Sequence, residues 1–418
     1  MSSRAYPIAG GCTVSSAAEA APATAVVGIV GAGSMGAGIA QVALEAGHAV
    51  LIVDADPAAV ERGRERIADG LRRRAATAGR PDPDAQAWTA EHLARLTPAN
   101  DLGELAARSD VVIEAAIEDL ATKQAIFRDL NRAAAPEAIL ATNTSALSIG
   151  RIASATGHSE RILGLHFFNP APLMKLVEVA SAPGTDPEVV ERATRLVVGW
   201  GRTVVRCTDH PGFIVNRINR PFTLEPLRIL LAGGGTVETI DAALIEVGFP
   251  MGPFAFMDLV GLDVNLATAT TLYEAFDRPA RLRPSPIQEE LVEAGHLGRK
   301  TGRGFYVYDA HGRPHGPAER FATARPADQL SADELAERVV LAIVNEAYRA
   351  LGEGVASGPD IDLALRLGAN HPFGPIEWAE RTGLTEVAAS LDALSDEDDD
   401  AFRPSLALLR AAAAEDCC

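Results

Sequence analysis

Between residues 25 and 54 the chain carries an arrangement that few folds can hold. Ala25-Val26-Val27-Gly28-Ile29-Val30 is an unbroken apolar run, the pattern of a strand buried on both faces of a parallel sheet. It leads directly into Gly31-Ala32-Gly33-Ser34-Met35-Gly36 and then a helical stretch, residues 37–43. Gly31 permits a tight turn, Gly33 lets backbone approach a pyrophosphate, and Gly36 lets helix and strand pack closely. Ser34 and Met35 complete the turn, where a helix N-terminus offers free N–H groups to a phosphate. A second strand, Ala49-Val50-Leu51-Ile52-Val53, ends in Asp54. An acid at that spacing hydrogen-bonds the adenosine ribose and repels a 2′-phosphate, so the cofactor expected is NAD rather than NADP.

Two further runs extend the sheet. Asp110-Val111-Val112-Ile113-Glu114-Ala115-Ala116 reads as a strand, followed by Glu118 and a helix carrying Lys123. Ala138-Ile139-Leu140-Ala141 reads as another, ending in Thr142-Asn143-Thr144-Ser145. Together these make a Rossmann-type α/β domain, in which ligands lie beyond the carboxyl ends of the strands. Glu118, Asn143 and Ser145 all fall there. Between the second and third of these strands runs a charged helical excursion, residues 58–96, with Arg72-Arg73-Arg74 and a Pro81-Asp82-Pro83-Asp84 turn. Such a run is a solvated face or, as an arm over the cleft, a contact for an anionic substrate tail.

The apolar run Ile162-Leu163-Gly164-Leu165 ends in His166, and the strand should stop at Asn169-Pro170. The next run, Leu176-Val177-Glu178-Val179, carries a carboxylate where packing alone would place an apolar residue. A histidine needs a partner on its second nitrogen to fix its tautomer and raise its basicity, and a carboxylate serves. His166 also shares the strand-end placement of Glu118, Asn143 and Ser145. His166 with Glu178 is therefore the candidate general base.

At 418 residues the chain is too long for one core and points to two or three domains. A net charge of −18 argues against a nucleic-acid partner but leaves room for an anionic small substrate at a local basic patch. No stretch approaches the roughly 20 apolar residues of a membrane span. Residues 1–24 are rich in Ala, Ser, Gly and Pro, without a basic start or long apolar segment. They read as a flexible extension rather than a secretory signal. Cys12, Cys207, Cys417 and Cys418 show no metal-ligand spacing, so no metal is expected, and a reducing, cytoplasmic setting fits.

Further motifs follow in order: Pro211-Gly212-Phe213-Ile214-Val215-Asn216-Arg217, Met251-Gly252-Pro253-Phe254, Asp258-Leu259-Val260-Gly261-Leu262-Asp263 and Leu297-Gly298-Arg299-Lys300-Thr301-Gly302-Arg303-Gly304-Phe305-Tyr306. With the glycine turn, Val112-Ile113-Glu114-Ala115, residues 142–145 and residues 166–178, the chain resembles the L-3-hydroxyacyl-CoA dehydrogenase family from residue 25 to about 308. The resemblance implies NAD-dependent, reversible oxidation of the C3 hydroxyl of an acyl-CoA thioester. It implies His166 as general base, Glu178 as the acid that orients it, and Ser145 and Asn216 as holders of the substrate oxygen. Glu118 and Lys123 fall where the family contacts its cofactor, and Asn143 is grouped with them. The family's CoA-nucleotide contacts lie on the helical arm, where this chain does not keep their residue types. Arg72, Arg73 and Arg74 are the substitute candidates. An acyl chain bearing a second carboxylate would want a buried arginine, Arg217 or Arg220. Relatives acting on free hydroxyacids, such as the crystallin-like gulonate dehydrogenases, share much of this site and stand as an alternative, as does a non-catalytic relative. The phosphogluconate-type dehydrogenases, with a catalytic lysine presented from a helix, fit less well.

Beyond Asp209-His210-Pro211-Gly212 the pattern turns helical. It also repeats: residues 225–241 match 346–362, Gly252-Pro253 matches Gly374-Pro375, and Gly261-Leu262 matches Gly383-Leu384. The second copy lacks the chemistry, with Glu337 opposite Asn216 and no counterpart of residues 298–306. The expected organisation is an extension (1–24), an NAD-binding α/β domain (25–208, with its arm at 58–96), an all-α domain (209–308), a linker (309–330) and a degenerate second all-α copy (331–418). In single-copy members of the family the helical domain forms the dimer contact. The resemblance therefore implies a homodimer or an intrachain pseudo-dimer. Asp396-Glu397-Asp398-Asp399-Asp400 reads as an acidic exposed turn without function.

Overall fold

The strand β1 (Val26–Val30) lies inside an eight-stranded sheet. On one side stand β2 (Ala49–Val53) and β3 (Leu96–Pro98). On the other, in order, are β4 (Val111–Glu114), β5 (Ile139–Thr142), β6 (Ile162–Phe167), β7 (Leu176–Ser181) and β8 (Thr203–Thr208). The strands from β3 across to β6 pair in parallel, β7 runs antiparallel to β6, and β8 is parallel to β7. β4, β5 and β6 are buried along their whole length, which is why their sequences are apolar runs rather than alternating ones. Strand order reverses between β1 and β4, the switch point beside which such sheets bind ligands.

The computed structural model describes residues 24–322, 329–395 and 400–415, so nearly all of the expected N-terminal extension lies outside it, as do Cys12, Cys417 and Cys418. The chain divides into two units between Phe213 and Ile214, a few residues beyond the expected boundary. The excursion is two helices, Pro57–Thr77 and Asp82–Leu93. The turn expected at 81–84 is shorter, because Asp82 and Asp84 already occupy the first turn of the second helix, where acids suit the helix dipole. Among the described residues no helix is long and apolar enough to cross a membrane.

The unit from Ile214 is helical apart from a hairpin of β9 (Tyr306–Tyr308) and β10 (Pro314–Pro317). The expected helical fold of this region holds, and the linker drawn from residue 309 begins instead inside this short hairpin. Asp241, in the helix Val237–Glu246, accepts the N–H groups of Phe254 and Ala255 at 2.8 and 3.1 Å. Asp362, in the helix Gly358–Gly368, does the same for Ile376 and Glu377 at 2.8 and 2.9 Å. A Cβ on Gly252 or Gly374 would stand 2.2 Å from the corresponding carboxyl carbon, so only glycine fits at either place. The residues that match in sequence thus build the same cap twice. The helices Arg220–Leu231 and Ala332–Gly352 pack together, with ion pairs Arg217–Glu346 and Arg338–Glu225 at this seam. Asp400, expected in an exposed acidic turn, is instead part-buried and accepts from Arg281 at 2.8 Å. Residues 396–399 lie outside the described residues.

Candidate active site

The antiparallel register of β6 and β7 sets His166 directly opposite Glu178, so both side chains leave the same face of the sheet. His166 Nδ1 lies 2.6 Å from Glu178 Oε2. Both are buried, the glutamate completely. A carboxylate can only accept, which assigns the ring proton to Nδ1 and leaves the lone pair on Nε2. The imidazole is flanked by Phe168 and Phe213, with ring centroids 4.6 and 5.7 Å away. Phe213 holds φ at 49°, a left-handed conformation that costs a bulky residue strain and persists where the surroundings fix it. It is 1% exposed.

A second cluster ties together the ends of β4 and β5. Lys123, 1% exposed, donates to Glu114 Oε1 at 2.7 Å and lies 3.4 Å from Glu118 Oε2. Glu114 also accepts from the Thr142 hydroxyl and from the Ala116 N–H, both at 2.7 Å. Glu118 Oε1 accepts from the Thr144 hydroxyl at 2.6 Å and the Ser145 N–H at 2.9 Å, with the Ser145 hydroxyl at 3.3 Å. Partial burial alone would raise the Glu118 carboxyl. The Lys123 ammonium, the Thr144 hydroxyl and the Ser145 N–H outweigh that and hold it below the usual carboxylate range. Ser145 is thus oriented by an ionised acid that is itself anchored on a buried lysine.

The glycine turn has the shape its sequence demands. Gly31 sits at φ 99°, and a Cβ on Gly36 would fall 1.8 Å from the Gly31 carbonyl oxygen. Around Gly33 a Cβ would meet nothing within 4 Å, so the backbone there faces open space. The helix Ser34–Glu45 starts from this turn without a side-chain cap. Asp54 Oδ2 accepts the Ala32 N–H at 2.7 Å and Oδ1 that of Asp56 at 3.0 Å, so the acid expected at a ribose also braces the turn. Uncapped helix N–H groups, open space over Gly33 and an acid closing β2 fit a dinucleotide's pyrophosphate and ribose.

Asn143 Oδ1 accepts the Phe167 N–H at 2.8 Å, joining the ends of β5 and β6. Asn216 belongs to the other unit, in the short helix Val215–Ile218. Arg72, Arg73 and Arg74 are exposed on the helix Pro57–Thr77; Arg72 pairs with Asp69, and Arg74 lies 3.6 Å from Glu45. The structure therefore assembles His166 with Glu178, Ser145 with Glu118 and Lys123, and Asp54 with the glycine turn. Glu114 and Thr144 complete the second cluster and were not anticipated as site residues. The signal for Glu114 was present, since it is a carboxylate inside an apolar strand, as Glu178 is.

Comparison with known proteins places this geometry in a family. Residues 26–210 match the model of the 3-hydroxyacyl-CoA dehydrogenase NAD-binding domain, and residues 212–308 and 335–417 match that of the 3-hydroxyacyl-CoA dehydrogenase C-terminal domain. The chain is 37% identical to 3-hydroxyadipyl-CoA dehydrogenase of Escherichia coli K12, over 88% of this chain and 93% of that one. It is 42% identical to a 3-hydroxybutyryl-CoA dehydrogenase of Mycobacterium tuberculosis, over 68% of this chain and 98% of the relative. Among solved structures, 3-hydroxybutyryl-CoA dehydrogenase from Escherichia coli K12 superposes with a TM-score of 0.84 at 34% identity, covering 94% of this chain and 99% of that one.

Proposed function

Since the chain belongs to the 3-hydroxyacyl-CoA dehydrogenase family, whose members are NAD-dependent oxidoreductases, we propose that it interconverts L-3-hydroxyacyl-CoA and 3-oxoacyl-CoA with His166 as general base. NAD, when bound, supplies the hydride acceptor. His166 Nε2 takes the proton of the C3 hydroxyl as the carbonyl forms. Glu178, buried against Nδ1, steadies the imidazolium that results. Ser145, oriented by Glu118, holds the C3 oxygen so that the carbon presents its hydrogen to the cofactor. Gly31, Gly33, Ser34, Met35 and Gly36 carry the pyrophosphate and Asp54 the ribose.

The observation that carries this reading is the 2.6 Å contact between His166 and Glu178 on facing strands. Its test is NADH oxidation with acetoacetyl-CoA by wild type and His166→Ala. Wild type should turn over, and the variant should fall on the order of 100- to 10,000-fold. Turnover of a free keto acid with none of acetoacetyl-CoA would move the protein to the CoA-independent relatives. In this reading Arg72, Arg73 and Arg74 meet the CoA nucleotide. Reversing their charge should then raise KM for a CoA thioester but not for its pantetheine-truncated analogue. The seam between the helices Arg220–Leu231 and Ala332–Gly352 supports an intrachain pseudo-dimer.

A further inference from the structure

Thr144 is completely buried at the centre of the second cluster, yet no step of the reaction proposed above uses it. Its hydroxyl donates to Glu118 Oε1 at 2.6 Å and accepts the Leu147 N–H at 2.9 Å. Its own N–H reaches the Thr142 hydroxyl at 3.3 Å, and that hydroxyl donates to Glu114 at 2.7 Å. Glu114 and Glu118 have Lys123 between them, at 2.7 and 3.4 Å. The segment that carries Ser145 is thus tied at Thr142, Thr144, Ser145 and Leu147 to one net of two acids and a lysine, all inside the α/β unit.

Within that net three donors compete for one oxygen. Glu118 Oε1 accepts from the Thr144 hydroxyl at 2.6 Å, the Ser145 N–H at 2.9 Å and the Ser145 hydroxyl at 3.3 Å. A hydroxyl bound to a carboxylate usually stands at about 2.5–2.7 Å, so Thr144 holds the strong place and the serine hydroxyl a weak one. One carboxylate oxygen offers roughly two lone-pair sites, and the third donor leaves it at little cost. The serine hydroxyl has a single proton to give. Bound tightly to Glu118, that proton would not reach a ligand; held loosely, it is aimed by the acid and still able to turn. We propose that Thr144 is a positioning residue for Ser145: by filling Glu118 Oε1 it keeps the serine hydroxyl able to turn its proton to the oxygen of the ligand. This rests on the reading that Ser145 holds the C3 oxygen of the substrate. The β-branched side chain of Thr144 restricts its rotamers, so a serine in its place would make the same bonds less persistently.

The experiment follows NADH oxidation with acetoacetyl-CoA by the full chain and four variants: Thr144→Val, Thr144→Ser, Ser145→Ala and the double variant Thr144→Val with Ser145→Ala. Without the threonine hydroxyl, Glu118 should draw the serine proton to itself. Thr144→Val should then lose roughly 10- to 100-fold in kcat, the scale of one hydrogen bond to a charged group. KM for NADH and for the thioester should change little. Thr144→Ser should recover most of the rate. The double variant should be no slower than Ser145→Ala alone, because the threonine acts only through the serine. Additive losses, failure of Thr144→Ser to recover rate, or a Thr144→Val that loses only melting temperature overturn this inference and leave the dehydrogenase reading standing. A rise in KM for NADH as the main effect overturns it too, and makes Thr144 a support for the cofactor. Ser145→Ala with full activity removes the role of the serine and this inference together, and a wild type that turns over no thioester removes the whole reading. Should Thr144→Val fail to fold, Thr144→Ala removes the same hydroxyl and decides by the same comparisons.

Discussion

Arg217 donates to Glu346 at 2.7 Å, and the same contact occurs in reverse across the seam, where Arg338 donates to Glu225 at 2.8 Å. Arg338 follows Arg217 by the same number of residues as Glu346 follows Glu225. Each guanidinium also lies over an aromatic ring, Arg217 over Phe276 at 4.7 Å and Arg338 over Phe402 at 4.8 Å. Residue i on j and j on i is the reciprocal pattern that two-fold interfaces show, and here both contacts join segments of one chain.

The two pairs should not be energetically equal. Glu346 holds both Arg217 and Arg281 in near-complete burial, so Glu346→Gln should cost about 3–5 kcal/mol in urea unfolding. Glu225→Gln should cost less, because the Arg338 side chain is 30% exposed and can turn to water. Losses under about 1 kcal/mol for both variants would mean that the seam is held by apolar packing alone.

Gly33 and Gly36 should fail in different ways. Gly36→Ala drives a Cβ into the Gly31 carbonyl and should lower both stability and cofactor affinity. Gly33→Ala meets no protein atom, so its melting temperature should stay near that of wild type while NADH affinity falls at least about tenfold. Fluorescence titration with NADH and thermal melts separate the two. A Gly33→Ala variant with full affinity would remove the pyrophosphate from that turn.

Lys123→Met should be among the most damaging single changes in the α/β unit. It leaves Glu114 buried with no cation, at a cost of about 3–5 kcal/mol. Adding Glu114→Gln should recover a large part of that loss, and a chemical-denaturation double-mutant cycle measures the recovery. No recovery in the double variant would show that the lysine acts through packing of its stem.

Acid should weaken the helical unit through His371. Its imidazole is 4% exposed between Phe222 and Phe249, with Nε2 on the Asn219 side-chain oxygen at 2.8 Å. Burial pulls it down to about 3, well below the 6.5 of the unfolded chain. Protonation therefore favours the unfolded state: the contribution is complete above pH 6.5 and has fallen by about 2 kcal/mol at pH 5. His371→Gln should flatten that part of the stability profile. Asp241 acts in the opposite sense. Burial raises its carboxyl to about 6, so its share is present below its unfolded value of 3.8 and fades as pH rises through 6. An unchanged acid limb in His371→Gln would clear the histidine.

The sheet and its glycine turn were readable because parallel strands buried on both faces leave continuous apolar runs, and because the turn needs glycine for steric reasons. β3 was invisible: it has three residues, one of them a proline, at the sheet edge. The hairpin of β9 and β10 hid for a similar reason, since Pro314, Gly316 and Pro317 look like a linker until Tyr306–Tyr308 pairs with them. His166 and Glu178 could be named from sequence because a charge inside an apolar strand is anomalous wherever it occurs. Arg338 gives no such signal. A cation in a polar helix looks solvated, and Glu225, its partner, lies more than a hundred residues away in the chain.

In a symmetric dimer of identical chains every substitution is made twice, once on each side of the axis, and its cost or benefit doubles. The seam joining Arg217 to Glu346 and Arg338 to Glu225 escapes that rule, because each of the four residues is encoded once. A substitution at any one of them therefore changes one ion pair and leaves its counterpart across the seam as it was.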